Sequence, residues 1–215
     1  MRKLLVVSML LLGSLAWARC DHPFFPVREG WVWSYRSSPD NSTHTASIIK
    51  VSDKGFVQRL AFKDFSFDIR WACDAKGLTQ LEYFQPPSNQ GIQINLKTRK
   101  VSGVVIPQGM RVGTTWSYGY EVAGEAKQPN MTLQVEQTMS VVSKVVGQES
   151  VSVPAGRFSA YKVESTMTIR GSMKSAGQSM PMNFDVKTTS WYAQGVGLVK
   201  TQSEGVTVEF LSLKR

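Results

Sequence analysis

The sequence predicts an all-β protein, a strongly curved antiparallel sheet or open half-barrel built from two related units with long strands. Apolar and polar residues alternate with period two, as in residues 65–73, where the odd positions are apolar or cysteine. Such alternation is typical of half-buried antiparallel strands. No window combines helical apolar spacing with helix-capping residues. An aromatic framework also occurs twice along the chain.

A cleaved export signal is predicted at residues 1–18. Arg2 and Lys3 supply a charged start, an apolar run follows them, and residues 16–18 read Ala-Trp-Ala, which fits a signal-peptidase site. No later segment is long enough to cross a membrane as a helix. Residues 19–215 are therefore expected to form one soluble, exported β domain in the periplasm, the cell envelope or outside the cell.

The two cysteines predict a structural disulfide. In an oxidising compartment, a lone pair such as Cys20 and Cys73 most simply forms one bridge. Closing that loop contributes about 4 kcal/mol in the chain-entropy description. A lipid anchor at Cys20 is the alternative, but lipidation prefers a small residue before the cysteine, and here that residue is Arg19.

The repeated aromatic framework indicates a duplicated supersecondary unit. Residues 30–35 and 113–118 share the pattern G-x-x-W-S-Y, and a W-x5-G-L pattern follows each copy. We place the units at about 24–100 and about 101–215. A ligand platform is the alternative interpretation, but buried packing explains the duplication better, since indoles supply large buried area. The repeated residues are Trp33, Tyr35, Trp71, Trp116, Tyr118 and Trp191.

The second unit contains strands of unusual length. Residues 131–145 as one strand would run roughly 50 Å, and strands that long must twist and coil. A bend or bulge is expected near Gln137, a polar residue in the apolar phase. Turn residues predict hairpins at 53–55, 74–77, 86–89, 195–197 and 203–205, and looser loops at 39–42 and 124–130.

The charge is strongly positive. The net charge is +9, and removal of Arg2 and Lys3 with the signal leaves 23 basic against 16 acidic residues. This balance favours anionic surroundings such as an envelope surface or a polyanion. A solvated basic face is the simpler interpretation, and nucleic acid is not favoured as a partner.

The sequence offers few residues for catalysis. It contains two histidines, His22 and His44, and none of the H-E-x-x-H, G-x-S-x-G, Walker A or G-x-G-x-x-G motifs. The carboxylates show no spacing that identifies an acid/base pair. We therefore expect no enzyme and no cofactor, with both histidines as ordinary surface or strand-end residues.

Methionines crowd one predicted hairpin. Exported Met-rich segments can hold Cu(I) through thioethers, which makes a copper site one hypothesis. Most of these methionines fall in the apolar phase of their strands, so core packing is favoured. The residues are Met167, Met173, Met180 and Met182.

Two motifs carry a family resemblance. The chain has V-x-V-P-A-G-x-F followed by W-Y-A-x-G-V-G-x-V-K, and it resembles exported bacterial domains of unknown function sometimes called TapB-like. More distantly it is similar to LolA-type half-barrel envelope proteins. The resemblance implies a curved antiparallel sheet and brings no catalytic residue. LolA-like proteins add helices that plug the concave face, and none is predicted here. The motif residues are Val153, Pro154, Ala155, Gly156, Phe158, Trp191, Tyr192, Gly195 and Gly197.

The leading functional hypothesis is an exported, non-enzymatic protein of the bacterial envelope. Its ligand, if it has one, is expected to be a lipid or acyl chain in the concave sheet face. The alternatives are a polyanion-binding or pilus-associated accessory or adhesion module that uses the basic face, and a Met-rich Cu(I) binder.

Overall fold

The computed structural model describes residues 20–83, 93–128, 131–175 and 177–215. Every regular element in these ranges is a β-strand, while the predicted signal and the predicted turn at 86–89 lie outside them. The strands are β1 (Val32–Ser38), β2 (Thr43–Ser52), β3 (Gly55–Ala61), β4 (Ser66–Asp74), β5 (Gly77–Gln80), β6 (Gln93–Gly103), β7 (Ile106–Pro107), β8 (Thr115–Gln128), β9 (Met131–Val153), β10 (Gly156–Ser175), β11 (Gln178–Ala193), β12 (Gly197–Ser203) and β13 (Val206–Lys214).

All thirteen strands belong to one antiparallel sheet, which confirms the predicted fold class. Their order is β6-β8-β9-β10-β11-β12-β13-β1-β2-β3-β4-β5-β7. Two meanders, β1 to β5 and β8 to β13, are joined where β13 pairs with β1. The edge strands β6 and β7 are not paired with each other in the described residues, so the sheet stays open.

The sheet coils so far that distant strands meet. β8 and β5 stand near opposite ends of the strand order, yet the Tyr120 hydroxyl on β8 donates to the Gln80 carbonyl on β5 at 3.4 Å. The Trp33 indole on β1 likewise donates to the carbonyl of Val196, in the β11–β12 turn, at 2.7 Å. These contacts require a strongly curved sheet that wraps around its own apolar face.

The longest strand, β9, carries its bulge away from the predicted place. Lys162 pairs with Gly147 and Val163 with Val145, which leaves Val146 as the extra residue. Gln137 keeps regular pairing with Gly171, so a bulge near Gln137 was the wrong prediction. A Cβ added at Gly171 would lie 2.7 Å from the Gln137 Cα, and this glycine therefore lets the two backbones approach without a bulge.

The loop predicted at 124–130 is also wrong for residues 124–128, which continue β8. Ala126 pairs with Leu133, and both belong to one buried cluster. A Cβ at Gly124 would lie 2.9 Å from the Leu96 Cα on β6. The glycine marks a close approach of strands here, and apolar burial keeps the segment extended.

The N-terminal segment covers part of the concave face. A disulfide joins Cys20 to Cys73 on β4, as predicted, with a Cα–Cα distance of 5.2 Å. His22 follows and is 1% exposed. Cys20, Val27 and Cys73 belong to the largest apolar cluster of the described residues. The disulfide and the burial together fix this segment against the first meander.

Candidate functional site

The repeated aromatic residues occupy matching places in the two meanders. The first copy of the G-x-x-W-S-Y pattern leads into β1, and the second copy leads into β8. Each of these strands is the first of its meander. Trp71 and Trp191 lie on the fourth strands, and the Gly-Leu pairs that follow them begin the fifth strands, β5 and β12.

Backbone hydrogen bonds match as well. The Gly30 amide donates to the Ile48 carbonyl, and the Gly113 amide donates to the Val145 carbonyl, both at 2.8 Å. Ile48 and Val145 are both completely buried. In each meander, the residue after this acceptor is left unpaired in the register with the next strand: Ile49 on β2 and Val146 on β9.

The four repeated indoles differ in their hydrogen bonds. Trp71 is 6% exposed, and its indole N–H has no acceptor among the described residues. The other three each donate to an acceptor: Trp33 to the Val196 carbonyl at 2.7 Å, Trp116 to the Val105 carbonyl at 3.0 Å, and Trp191 to the Glu149 carboxylate at 2.6 Å.

An apolar cavity of about 290 Å³ lies on the concave face of the first meander. Its walls come from β1 to β5 and from Val208 on β13, and the N-terminal segment and the β11–β12 turn cover it. The predicted aromatic residues Trp33, Tyr35 and Trp71 meet here. The lining residues are Phe25, Pro26, Trp33, Tyr35, His44, Ala46, Gln58, Leu60, Ile69, Trp71, Gln80, Val196, Gly197, Leu198 and Val208.

A stack of aromatic rings leads from the cavity wall to the surface. His44 lies between Tyr35, with ring centroids 5.3 Å apart, and Phe62, at 5.0 Å. Phe62 then stacks on Phe65 at 4.7 Å, and Phe67 lies 6.1 Å from Phe62. Phe62 is 36% exposed. We call Phe62, Phe65 and Phe67, at the β3–β4 turn, the phenylalanine rim.

Burial changes the titration of the groups beside the cavity. Desolvation lowers the pKa of His44 below its usual value. Desolvation also raises the pKa of Tyr35, with a smaller contribution from Tyr192, while its hydroxyl donates to the Leu198 carbonyl at 3.1 Å. Both side chains are therefore neutral at pH 7, and the cavity wall carries no charge from them.

The first family motif forms the β9–β10 hairpin. Val153 ends β9, and Gly156 begins β10 with a φ of 129°, a conformation that favours glycine. The Ala155 amide, next to Pro154 in the turn, donates to the Phe210 carbonyl at 3.2 Å. Phe158 packs edge-on against Phe210 at 5.9 Å.

The second family motif supports the cavity cover. Tyr192 lies near the end of β11, close to the turn that covers the cavity. The Gly195 amide donates to the Pro23 carbonyl at 2.7 Å. A Cβ at Gly197 would meet Pro26 at 3.6 Å. The sequence did not signal that this turn and the N-terminal segment would meet.

His22 has a structural position. Its Nδ1 accepts a hydrogen bond from the Phe24 amide at 3.1 Å, so Nε2 carries the proton and donates to the Pro107 carbonyl at 3.0 Å. Desolvation lowers its pKa, although the bond to Pro107 opposes the effect. Within the described ranges, no group of three or more His, Cys, Asp or Glu residues is placed to hold a metal ion.

Three of the methionines share one face at the end of the β10–β11 hairpin. Met173 pairs directly with Met180, and Met182 lies two residues farther along β11. Met173 and Met182 pack against a buried cluster, whereas Met180 is 47% exposed. Met167 lies before Met173 on β10, away from the end of the hairpin, and packs against a different cluster.

Many basic side chains lie in ion pairs. Arg59 forms a two-point pair with Asp68 at 2.7 and 2.9 Å. Arg28 pairs with Asp21 at 2.6 Å. Acidic partners thus offset the positive charge at these positions.

These features define the class of protein: an all-β chain with one open, coiled antiparallel sheet and an apolar cavity beneath its first meander. The chain belongs to the DUF3108-like family, whose sequence model matches residues 70–205, more than half of the chain. No curated protein matches the chain. Within the described ranges, no helix has the length and apolar character of a membrane span.

One solved structure shares the fold, and two others are less similar. One structure is described as an exported protein with a YmcC-like fold from Bacteroides fragilis. It is 16% identical to this chain, with a TM-score of 0.53, and the alignment covers 90% of this chain and 100% of that one. A protein described as a lipoprotein from Parabacteroides distasonis is 15% identical, with a TM-score of 0.47 and coverages of 90% and 99%. The hypothetical lipoprotein YmcC from Escherichia coli is 11% identical, with a TM-score of 0.39 and coverages of 85% and 83%.

Proposed function

We propose that this protein is an exported, non-enzymatic envelope protein that binds an acyl chain in the cavity of the first meander. The observation that carries the proposal is the cavity of about 290 Å³ with its mainly apolar wall. That volume is close to the lower end of ligand pockets, roughly 300–1,000 Å³. An acyl chain fits such a wall because burying apolar surface contributes about 25 cal/mol per Å².

The phenylalanine rim supports a route for the ligand. His44 and Leu60 line the cavity; Phe62 stacks on His44, and Phe67 is the cross-strand partner of Leu60. A chain that leaves the cavity here passes over aromatic rings instead of water. The rim thus lowers the cost of exposing the ligand during exchange.

Export without a lipid anchor is part of the proposal. The signal proposed at 1–18 supports export, and structural neighbours are described as exported or as lipoproteins. A thioether anchor needs a free thiol, whereas the Cys20 sulfur is bonded to Cys73. The TapB-like and LolA-type resemblances also fit this proposal, with the β11–β12 turn covering the concavity where LolA-like proteins use helices. We also propose that the two meanders descend from one duplicated unit.

A titration with decanoate, followed by calorimetry, tests the ligand. Ala46 lines the cavity and is 5% exposed, so Ala46→Leu fills the space that the chain would occupy. Ser47→Leu is the matched control, because Ser47 is the next residue on the same strand and does not line the cavity. We expect wild type and Ser47→Leu to bind decanoate, with at least a tenfold loss for Ala46→Leu.

Equal decanoate affinity in the two variants would contradict the cavity assignment. Absence of binding by the folded wild-type protein would contradict it as well. Mass spectrometry of protein purified from its own envelope adds an independent check, because a resident ligand should co-purify with wild type and be depleted in Ala46→Leu.

A second candidate function is Cu(I) binding by Met173, Met180 and Met182. The observation that favours it is their placement on one face, with Met173 and Met180 as direct cross-strand partners. Cross-strand Cβ atoms lie about 4.5–5.5 Å apart, which brings the thioethers within reach of a shared ion. Cu(I) titration against a chromophoric chelator should show one bound equivalent, lost in Met180→Leu and retained in Met167→Leu. Equal uptake by both variants would reject the site.

A further inference from the structure

The Trp71 indole differs from the other repeated indoles in one respect. It lines the cavity, it is 6% exposed, and its N–H finds no acceptor among the residues that the structure describes. A buried donor left unsatisfied costs about 1–3 kcal/mol. Proteins rarely keep such a group, so an unpaired donor beside a cavity requires an explanation.

Trp191 shows which acceptor the matching position takes in the second meander. It lies on β11 as Trp71 lies on β4, and in each case Gly-Leu begins the next strand, at residues 197–198 and 77–78. The Trp191 N–H donates to the Glu149 carboxylate at 2.6 Å. Hydrogen bonds to a carboxylate are short and stronger than those to a neutral acceptor. In the second meander, the chain itself supplies this carboxylate.

We propose that in the first meander the ligand supplies the carboxylate. The ligand is then a fatty-acid-like molecule, with its chain along the apolar wall and its head group bound by the Trp71 N–H. This inference rests on the proposed function, since it names the chemical class that the cavity binds. Either protonation state of the head group keeps an oxygen that can accept the bond.

Another polar side chain of the wall fits this assignment. Gln58 lines the cavity from β3, two residues from Phe56, the cross-strand partner of Trp71. Its amide can donate a second hydrogen bond to the head group. Two neutral donors can thus meet a carboxylate without a buried cation.

Phe25 packs against the buried Trp71 indole. Its ring centroid lies 5.2 Å from that of Trp71, and Phe56 stacks at 5.5 Å with an interplanar angle of 7°. Phe25 lies outside any strand, in the segment between the disulfide and β1, and it also lines the cavity. On this proposal the Phe25 ring, which no strand holds, is displaced when the head group reaches the N–H, whereas Phe56 is held in β3.

The test compares two ligands of equal chain length in wild type and Trp71→Phe. Decanoate has acceptor oxygens, whereas decylammonium has only donors. Trp71→Phe keeps an aromatic ring and removes the N–H. We expect about a tenfold loss of decanoate affinity, because a hydrogen bond to a charged group contributes about 1.5–3 kcal/mol and 1.4 kcal/mol is tenfold. Decylammonium affinity should stay within twofold.

Trp116→Phe is the control, because its indole bonds to Val105 and does not line the cavity. It should bind decanoate as wild type does. If Trp71→Phe also binds decanoate as wild type does, while Ala46→Leu still blocks binding, then the cavity assignment stands and the carboxylate inference is wrong. If Ala46→Leu binds normally, the proposed function itself fails. Equal losses for decanoate and decylammonium in Trp71→Phe would also overturn the inference.

Discussion

The Trp33 indole donates its N–H to the Val196 carbonyl at 2.7 Å, although the two residues are 163 positions apart. This bond fixes the β11–β12 turn of the second meander onto β1 of the first. Tyr35 repeats the connection two residues later, through its hydroxyl and the Leu198 carbonyl at 3.1 Å. The cover of the cavity is therefore held by side chains of its own wall.

The same substitution at two wall tryptophans should have unequal effects on stability. Trp33→Phe leaves the Val196 carbonyl without its donor, so we expect a loss of about 2 kcal/mol in the free energy of unfolding. Trp71→Phe removes a donor that has no acceptor among the described residues, and we expect a smaller loss. Urea unfolding followed by far-UV circular dichroism measures both. Equal losses would mean that the Trp33 bond contributes nothing.

The disulfide should account for a large share of stability. It links Cys20 and Cys73 across a sequence separation of 53. A loop of that length corresponds to about 4 kcal/mol in the chain-entropy description. The Cys20→Ser, Cys73→Ser double variant should lose that amount in urea unfolding. A reduced wild-type sample should unfold at the same urea concentration as the double variant; a clear difference would assign the effect to the serines instead.

Gly171 should tolerate no side chain. A Cβ there would overlap the Glu136 carbonyl and lie 2.7 Å from the Gln137 Cα. We expect Gly171→Ala to destabilise the protein by about 1–3 kcal/mol, the usual cost of overpacking. Gly147→Ala is the control on β9, because a Cβ at Gly147 meets nothing within 4 Å. Thermal unfolding compares them, and equal midpoints would show that the strands can separate without cost.

Stability should fall as the pH drops from about 7.5 to 5. Burial lowers the pKa of His22 and of His44 in the folded chain, so protons bind more tightly to the unfolded chain. The stability that comes from keeping the two imidazoles neutral is complete above the unfolded-chain pKa of about 6.5. It is lost as the pH falls below that value. Protonation of His22 would also break its bond from the Phe24 amide.

Two variants separate the histidines. His44→Phe keeps the aromatic stack and removes a titrating group, while His22→Gln removes the other. Each should flatten the dependence of the urea midpoint on pH in this range, and the double variant should flatten it most. A midpoint that rises as the pH falls from 7.5 to 5 would contradict the direction of both pKa shifts.

The local sequence pattern is enough to predict the sheet but not the cavity. Alternation along single strands predicts which residues face inward, and a lone cysteine pair in an exported chain predicts the disulfide. The cavity depends on how far the sheet coils, which brings Gln80 to Tyr120 and Val196 to Trp33. No local spacing in the sequence encodes those contacts.

The errors at Gln137 and at residues 124–128 share a cause. Gly124 lies in a sequence typical of a loop, and nothing in the sequence around Gln137 identifies Gly171 as its cross-strand partner. In both places the missing side chain allows neighbouring strands to approach closely. A glycine within a strand can therefore mark coiling of a sheet as well as a turn.

The end of the sheet at β6 bears on behaviour at high concentration. An exposed strand edge offers unpaired amides and carbonyls to any other extended polypeptide, which makes it a starting point for aggregation. β6 carries Lys97, Arg99 and Lys100, all exposed, and its pairing with β8 is interrupted at Arg99. Charged side chains and this local distortion both oppose pairing of a second copy along β6, so we expect this open border to resist edge-to-edge association in a crowded compartment.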